Sequence, residues 1–158
     1  MARARPIPGL AADTRFGDAA AAAVQTRARE VFAHAGGVLD RGEIERVHDM
    51  RVATRRLRAA LEVFAPCFPR KRHRELLGEV KRLADALGER RDPDVAIENL
   101  RELQDAFHEA DHAGIESLVG ELRGDQDAGN ERLATALEHA QASELEQRLL
   151  ALAEKART

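Results

Sequence analysis

Tryptophan and tyrosine are absent from this 158-residue sequence, phenylalanine occurs five times and cysteine once. Because β-sheets draw on aromatic and β-branched residues, an apolar fraction made mostly of Ala and Leu favours helix packing. A single thiol, Cys67, excludes an internal disulfide and favours a reducing compartment, so we expect a cytoplasmic protein. No apolar run approaches the roughly 20 residues that a membrane-spanning helix requires, and we expect no membrane association.

Charge is distributed unevenly along the chain, although its net value is only −3. Residues 44–91 contain 13 Lys and Arg against 7 Asp and Glu, a net charge of +6. Residues 92–158 contain 6 against 16, a net charge of −10. A basic block inside an acidic protein indicates a focused anion-binding site rather than a general nucleic-acid coat.

Helical periodicity covers most of the chain, and no segment shows the alternation typical of strands. Residues 1–12 are predicted to form a flexible tail and residues 13–158 a single helical domain. The predicted helices run over 18–35, 43–64, 70–90, 93–109, 114–139 (weakened between Gly124 and Gly129) and 143–155. We therefore predict an all-α fold, an antiparallel bundle of four main helices with additional C-terminal helical segments.

Two of these helix starts are predicted from capping residues. Asp92 followed by Pro93 is the pattern of an N-cap and a first helical residue, which separates the third and fourth helices. Asp94 then belongs to a first turn, and Arg91 is expected to pair with Asp92 or Asp94. Ser143 with a glutamate three residues later is typical of a capping box.

The second predicted helix carries two adjacent stripes at about 100° per residue. An apolar stripe is predicted to face the core and consists of Val47, Met50, Leu57, Leu61 and Phe64. A basic stripe beside it consists of His48, Arg51, Arg55 and Arg58. On the third helix a basic flank is formed by Arg70, Arg74 and Lys81. Two helices joined by a short loop pack antiparallel, so we expect both basic flanks to face one groove.

Arginines stacked on one helix face repel each other, and a bound anion relieves this repulsion. The guanidinium group stays charged and offers a planar fork that matches phosphate oxygens. A row with one charge every roughly 5–6 Å suits a linear chain of phosphates. Single-strand binding usually adds aromatic stacking, for which this chain has neither Tyr nor Trp, so nucleic acid is not the expected ligand. The alternative is a solvated surface whose charge Glu45 and Asp49 partly screen.

At these residues the sequence resembles the CHAD family, the conserved histidine α-helical domain. The resemblance lies in VHDMRVATRRLRAAL over residues 47–61 and in LADALGERRDPDV over residues 83–95, which is similar to the family's LG…RDxDV element. It implies a helical domain that binds inorganic polyphosphate through a basic surface, without catalysis and in association with polyphosphate granules. The binding role that it implies extends over His48, Arg51, Arg55, Arg56, Arg58, Lys81 and Arg82.

One departure from the family pattern concerns the second half of the domain. A full CHAD domain has two related helical halves, and residues 100–158 contain no second helix rich in His and Arg, so the chain resembles the first half alone. We predict a homodimer that rebuilds the two-halved arrangement through Val52, Ala59 and Val63. The alternative is that these three residues pack on the first helix or on the C-terminal helices.

Other chemistries find little support in the sequence, and we predict no cofactor, no metal site and no catalysis. His108 and His112 have a spacing that could hold a metal, but His112 is expected beyond the end of its helix. His48 is interpreted as a phosphate contact, with a structural hydrogen bond and a metal ligand as alternatives. No acidic metal-binding cluster accompanies the basic helices, as a phosphohydrolase would require. The alternative function is that of an accessory, regulatory subunit in a phosphate-metabolising system.

Overall fold

The computed structural model describes residues 3–157, and within that range the secondary structure is entirely helical. Five α-helices follow one another: α1 Phe16–Ala33, α2 Ile44–Val63, α3 Arg70–Gln104, α4 His112–Ala142 and α5 Leu145–Lys155. The 3₁₀ turns Ala65–Cys67 and Glu109–Asp111 precede α3 and α4. The predicted all-α bundle of four main helices with a further C-terminal segment is confirmed. Residues 1 and 2 of the predicted tail and residue 158 lie outside the described residues.

The core forms where α1 packs against α2 and α5, and where α2 packs against α3. Small side chains on α1, such as Ala20, Ala21 and Ala28, are fully buried and let the neighbouring helices approach closely. Leu57 on α2 and Leu149 on α5 fill the space between the helices, being at most 1% exposed. Each fully buried leucine contributes about 1.5–3 kcal/mol from the removal of its apolar surface from water.

The apolar stripe predicted on α2 is confirmed. Val47, Met50, Leu57 and Leu61 are buried, and Phe64 packs at the edge of the same core. Because this stripe is fixed against the core, the adjacent basic stripe is turned toward the outer edge of the α2–α3 contact.

Helices α3 and α4 form a long antiparallel hairpin, and the predicted break at Asp92 and Pro93 is wrong. Helix α3 runs without interruption through Pro93, so Asp92 does not cap a helix. A proline inside a helix costs about 3 kcal/mol, because it removes a backbone hydrogen bond. Packing against α4 outweighs this local preference.

Two further predicted features of the C-terminal region are also wrong. Helix α4 is continuous through Gly124 and Gly129, where a weakening was predicted. Ser143 ends α4 rather than beginning α5, since the residue before α5 is Glu144, in the left-handed conformation with φ 52°. No helix in the described residues is long and apolar enough to cross a membrane.

Candidate functional site

Three of the predicted arginines line one groove between α2 and α3. Arg51, Arg55 and Arg58 are exposed and lie along a depression of about 490 Å³. They come from successive turns of α2, so the groove follows the helix axis and presents guanidinium groups in a row. This is the arrangement that the basic stripe predicts for the α2 wall.

The opposite wall of the groove is acidic rather than basic. It is formed by α3 residues Ala84, Asp85, Gly88, Glu89 and Asp92. The expectation that Arg70 and Arg74 face this groove is wrong, because they line a different pocket with His73 near the start of α3. Sequence reasoning missed the acidic wall, although the spacing of Asp85, Glu89 and Asp92 at i, i+4 and i+7 places them on one helix face.

The arginines differ in how far carboxylates neutralise them. Arg51 and Arg55 have no carboxylate oxygen within 4.0 Å in the described part of the chain. Arg58 Nε lies 3.2 Å from Glu62 Oε1, and Lys81 Nζ lies 3.6 Å from the same oxygen. Lys81 does not line the groove itself, but it shares the Glu62 carboxylate with Arg58. The uncompensated positive charge is concentrated on Arg51 and Arg55.

Arg56 lies outside the groove and belongs to the contact between α1 and α2. Its Nη1 lies 3.2 Å from Oε1 of Glu30, a carboxylate that is 1% exposed. Glu30 also accepts hydrogen bonds from Arg27 Nη1 at 2.7 Å and from the Arg5 backbone N–H at 3.2 Å. Burial by itself raises the pKa of Glu30, but the hydrogen bonds from Arg27 and Arg5 and the nearby guanidinium charges outweigh burial and hold this pKa below its usual value.

Arg82 also lies outside the groove, on a different face of α3. It lines a pocket with Arg132 and His139 of α4. His48 lies one turn before Arg51 and is half-buried, with no hydrogen bond or ion pair among the described residues. Of the nine predicted site residues, the structure thus brings three into one groove, and Lys81 contacts one of these three only through their shared partner Glu62.

The prediction of no metal site concerns the arrangement of His, Cys, Asp and Glu side chains. Among residues 3–157, no three His, Cys, Asp or Glu side chains converge in a way that could hold one. His112 lies beyond the end of α3, as expected, and its ring N–H donates to the Gln104 carbonyl at 3.1 Å. Asp49, which screens the arginines in the alternative of a solvated surface, forms no ion pair in the described residues, and one of its oxygens is buried without a hydrogen-bond partner.

A comparison with models of protein families identifies the family to which this helical chain belongs. The model of the CHAD domain matches residues 22–158, most of the chain. The chain belongs to the CHAD family. No curated protein and no solved structure matches it in the corresponding searches.

The second resembling segment of this CHAD chain, residues 83–95, contains a buried ion pair that sequence reasoning missed. Arg90 and Asp94 form an ion pair at 2.6 Å, with both side chains 0% exposed. Gln126 Nε2 donates to Asp94 Oδ1 at 2.5 Å, and Arg90 Nε donates to Asn130 Oδ1 at 3.2 Å. These bonds join α3 to α4. Asp92 is exposed to the groove, whereas Asp94, two residues later, is locked in the hairpin.

Arg91 extends the same network toward α2. Its Nη1 lies 3.9 Å from Asp94, the predicted partner, and its Nη2 lies 3.5 Å from Glu98 and 4.0 Å from Glu45. Because Glu45 is on α2, this contact links α3 to α2 at the exposed end of the network. The packing of α2 on α3 sets the arginines opposite Asp85 and Gly88.

Proposed function

We propose that this CHAD domain binds inorganic polyphosphate along the groove lined by Arg51, Arg55 and Arg58, without turning it over. The observation that carries the proposal is the row of three guanidinium groups from successive turns in one open groove, two of them with no carboxylate within 4.0 Å among the described residues. Membership of the CHAD family supports the choice of ligand.

Electrostatic capture is the mechanism that this geometry supports. Each guanidinium group can donate two parallel hydrogen bonds to phosphate oxygens, and the row follows the direction of an extended chain. Bound phosphates release their counterions, so affinity is expected to fall steeply as salt rises, as it does for nucleic acids. The acidic α3 wall repels the ligand and holds it against α2.

The direct test is retention on immobilised polyphosphate. The double variant Arg51→Glu/Arg55→Glu is expected to lose retention while keeping its helical circular dichroism spectrum. Arg29→Glu/Arg72→Glu is the matched control, because it changes net charge equally at exposed residues that do not line the groove. Equal loss in both variants would mean that only net charge matters, and unchanged retention in the first would remove the site.

A second variant tests the groove by shape rather than by charge. A Cβ added at Gly88 meets no atom within 4 Å, so Gly88→Leu is expected to keep the fold while its side chain fills the groove. Gly120→Leu is its control, because that glycine is also unobstructed but lies on α4, away from the groove. Weaker retention of Gly88→Leu alone supports the proposal, and equal retention of both variants contradicts it.

The absence of turnover is tested separately. Incubation of the wild-type chain with polyphosphate and Mg²⁺ is expected to release no inorganic phosphate above the rate without protein. Release that disappears in Arg51→Glu/Arg55→Glu would show that the groove is catalytic and would overturn this part of the proposal.

A further inference from the structure

A second pocket, distinct from the arginine groove, lies where α3, α4 and α5 meet. Its volume is about 380 Å³, within the range of small-molecule sites. The floor is apolar and consists of Leu83, Ala136, Ala140 and Leu145. Leu83, Ala140 and Leu145 are at most 4% exposed, so a ligand on this floor would cover the edge of the core.

The rim of this pocket carries more positive than negative charge. Its one carboxylate, Glu79, is already neutralised, because Arg148 Nη1 lies 2.8 Å from it and Ser143 Oγ donates to it at 3.2 Å. Arg132 is likewise engaged, at 2.6 Å from Glu89. Arg82 has no carboxylate within 4.0 Å in the described chain, and its side chain is the cation that is left for a ligand.

We propose that this pocket binds a small amphipathic anion, a phosphate or carboxylate head on an apolar body. The head pairs with Arg82, beside His139, and the body lies on Ala136 and Ala140. A cation would meet Arg82 and a carboxylate that is already engaged. A neutral apolar ligand would leave Arg82 without a partner. Polyphosphate has no apolar part to cover the floor, so this site is separate from the groove and does not depend on its function.

Decyl phosphate, used as a monomer below its micelle concentration, is a suitable probe. Titration of the full chain, followed by two-dimensional amide NMR, is expected to shift the signals of Thr135 and Ala136 in a saturable manner. Decyltrimethylammonium has the same apolar length and the opposite charge, and is expected not to bind there. Saturable shifts confined to other helices, or equal binding of both probes, would overturn the proposal.

Variants of the rim and floor complete the test. Arg82→Gln is expected to weaken decyl phosphate binding about tenfold, since a charge-assisted hydrogen bond is lost. Arg72→Gln is the control on the same helix, and it should bind as the wild type does. Ala136→Phe fills the floor and should abolish binding, with helicity checked in parallel. Equal affinity of Arg82→Gln and Arg72→Gln would contradict the assignment.

Two further measurements distinguish this pocket from the polyphosphate groove and from a membrane-binding surface. Arg82→Gln should retain wild-type binding to immobilised polyphosphate, and a loss there would return Arg82 to the polyphosphate site. Vesicles containing an anionic phospholipid should not sediment the wild-type chain, because the apolar floor is a local depression between three helices rather than an extended apolar face. Sedimentation that Arg82→Gln abolishes would instead assign the pocket to a lipid headgroup, against the proposal.

Discussion

Arg90 Nη1 lies 2.6 Å from Asp94 Oδ1, one helical turn away, with both side chains excluded from solvent. The turn between them contains Pro93, the residue that in isolation would end the helix. Gln126 and Asn130 of α4 hold the pair from the other side. Arg90 Nη2 and Asp94 Oδ2 nevertheless have no hydrogen-bond partner. The hydrogen-bonding capacity of the pair is therefore only partly satisfied, and its net contribution to stability is small. Removing one of the two side chains is nevertheless costly, because the other charge stays buried without its partner.

The first prediction follows from this imbalance. Asp94→Ala is expected to destabilise the chain by about 3–5 kcal/mol, because it leaves the Arg90 charge buried and unpaired. Arg90→Met/Asp94→Leu removes both charges and is expected to recover most of that loss. Urea unfolding of the wild type, Arg90→Met, Asp94→Leu and the double variant gives the coupling energy. Strictly additive changes would mean that the two side chains act independently.

The same pair explains where sequence reasoning failed on the fold. The all-α architecture and the buried stripe on α2 follow from periodicity, which depends on the sequence alone. The continuity of α3 depends on Arg90 and Asp94 finding Gln126 and Asn130, more than 30 residues away. The capping prediction at Asp92 and Pro93 considers only neighbouring residues, so it cannot take that long-range contact into account.

For the groove, the α2 wall could be predicted from the sequence and the α3 wall could not. Arg51, Arg55 and Arg58 share a groove because they recur on one face of a helix whose other face is fixed in the core. Arg56 is rotated by about 100° from Arg55, so it meets Glu30 of α1 instead. Arg82 likewise lies next to Lys81 in sequence but points to a different side of its helix, where it meets α4. Which face of α3 meets the arginines depends on the register between the helices, which sequence reasoning on either helix alone did not supply.

A second prediction concerns the close approach of α3 and α4. A Cβ at Gly129 would lie 3.0 Å from Arg90 Cα and 3.0 Å from the Glu89 carbonyl oxygen, both backbone atoms. Gly129→Ala is expected to destabilise the chain by about 1–3 kcal/mol, because the two helices must move apart. Gly120→Ala on the same helix is unobstructed and is expected to stabilise by up to about 1 kcal/mol. Thermal unfolding that moves in the same direction for both variants would contradict the tight contact.

A third prediction concerns acid stability. The pKa of Glu30 is lower in the folded chain than its ordinary value, so the unfolded chain binds more protons in the interval between the two values. The stabilisation is present at neutral pH and is lost as the pH falls through the folded pKa. Glu30→Gln should therefore lose less stability than the wild type in urea unfolding as the pH is lowered from about 5 through the folded pKa. Glu102→Gln, at an exposed residue, should follow the wild type, and a Glu30→Gln curve parallel to it would contradict the assignment.

The predicted homodimer is the subject of a fourth prediction. Val63 is 65% exposed, Ala59 is also exposed and Val52 is half-buried, so the described helices leave the C-terminal part of this face of α2 uncovered. Val63→Glu is expected to shift a dimer toward monomer in light scattering across a concentration series. Leu118→Glu alters an equally apolar residue that is 44% exposed on α4 and should leave the dimer intact. A wild-type chain that stays monomeric throughout removes the dimer.

The acidic wall provides a fifth prediction, which separates groove binding from general attraction to a basic surface. Asp85 and Asp92 face the arginines across the groove, so Asp85→Asn/Asp92→Asn removes two charges that repel a polyanion lying there. We expect polyphosphate to bind about two- to fivefold more tightly per charge removed at low salt, with the gain shrinking as salt screens the repulsion. Glu102→Gln/Asp105→Asn removes the same charge from exposed positions at the end of α3, outside the groove, and serves as the control.

If both double variants gain equally, polyphosphate responds to net charge alone, and the groove has no special role. A gain confined to the first variant requires the ligand to lie between α2 and α3, because exposed charges act only over about 10 Å at moderate salt.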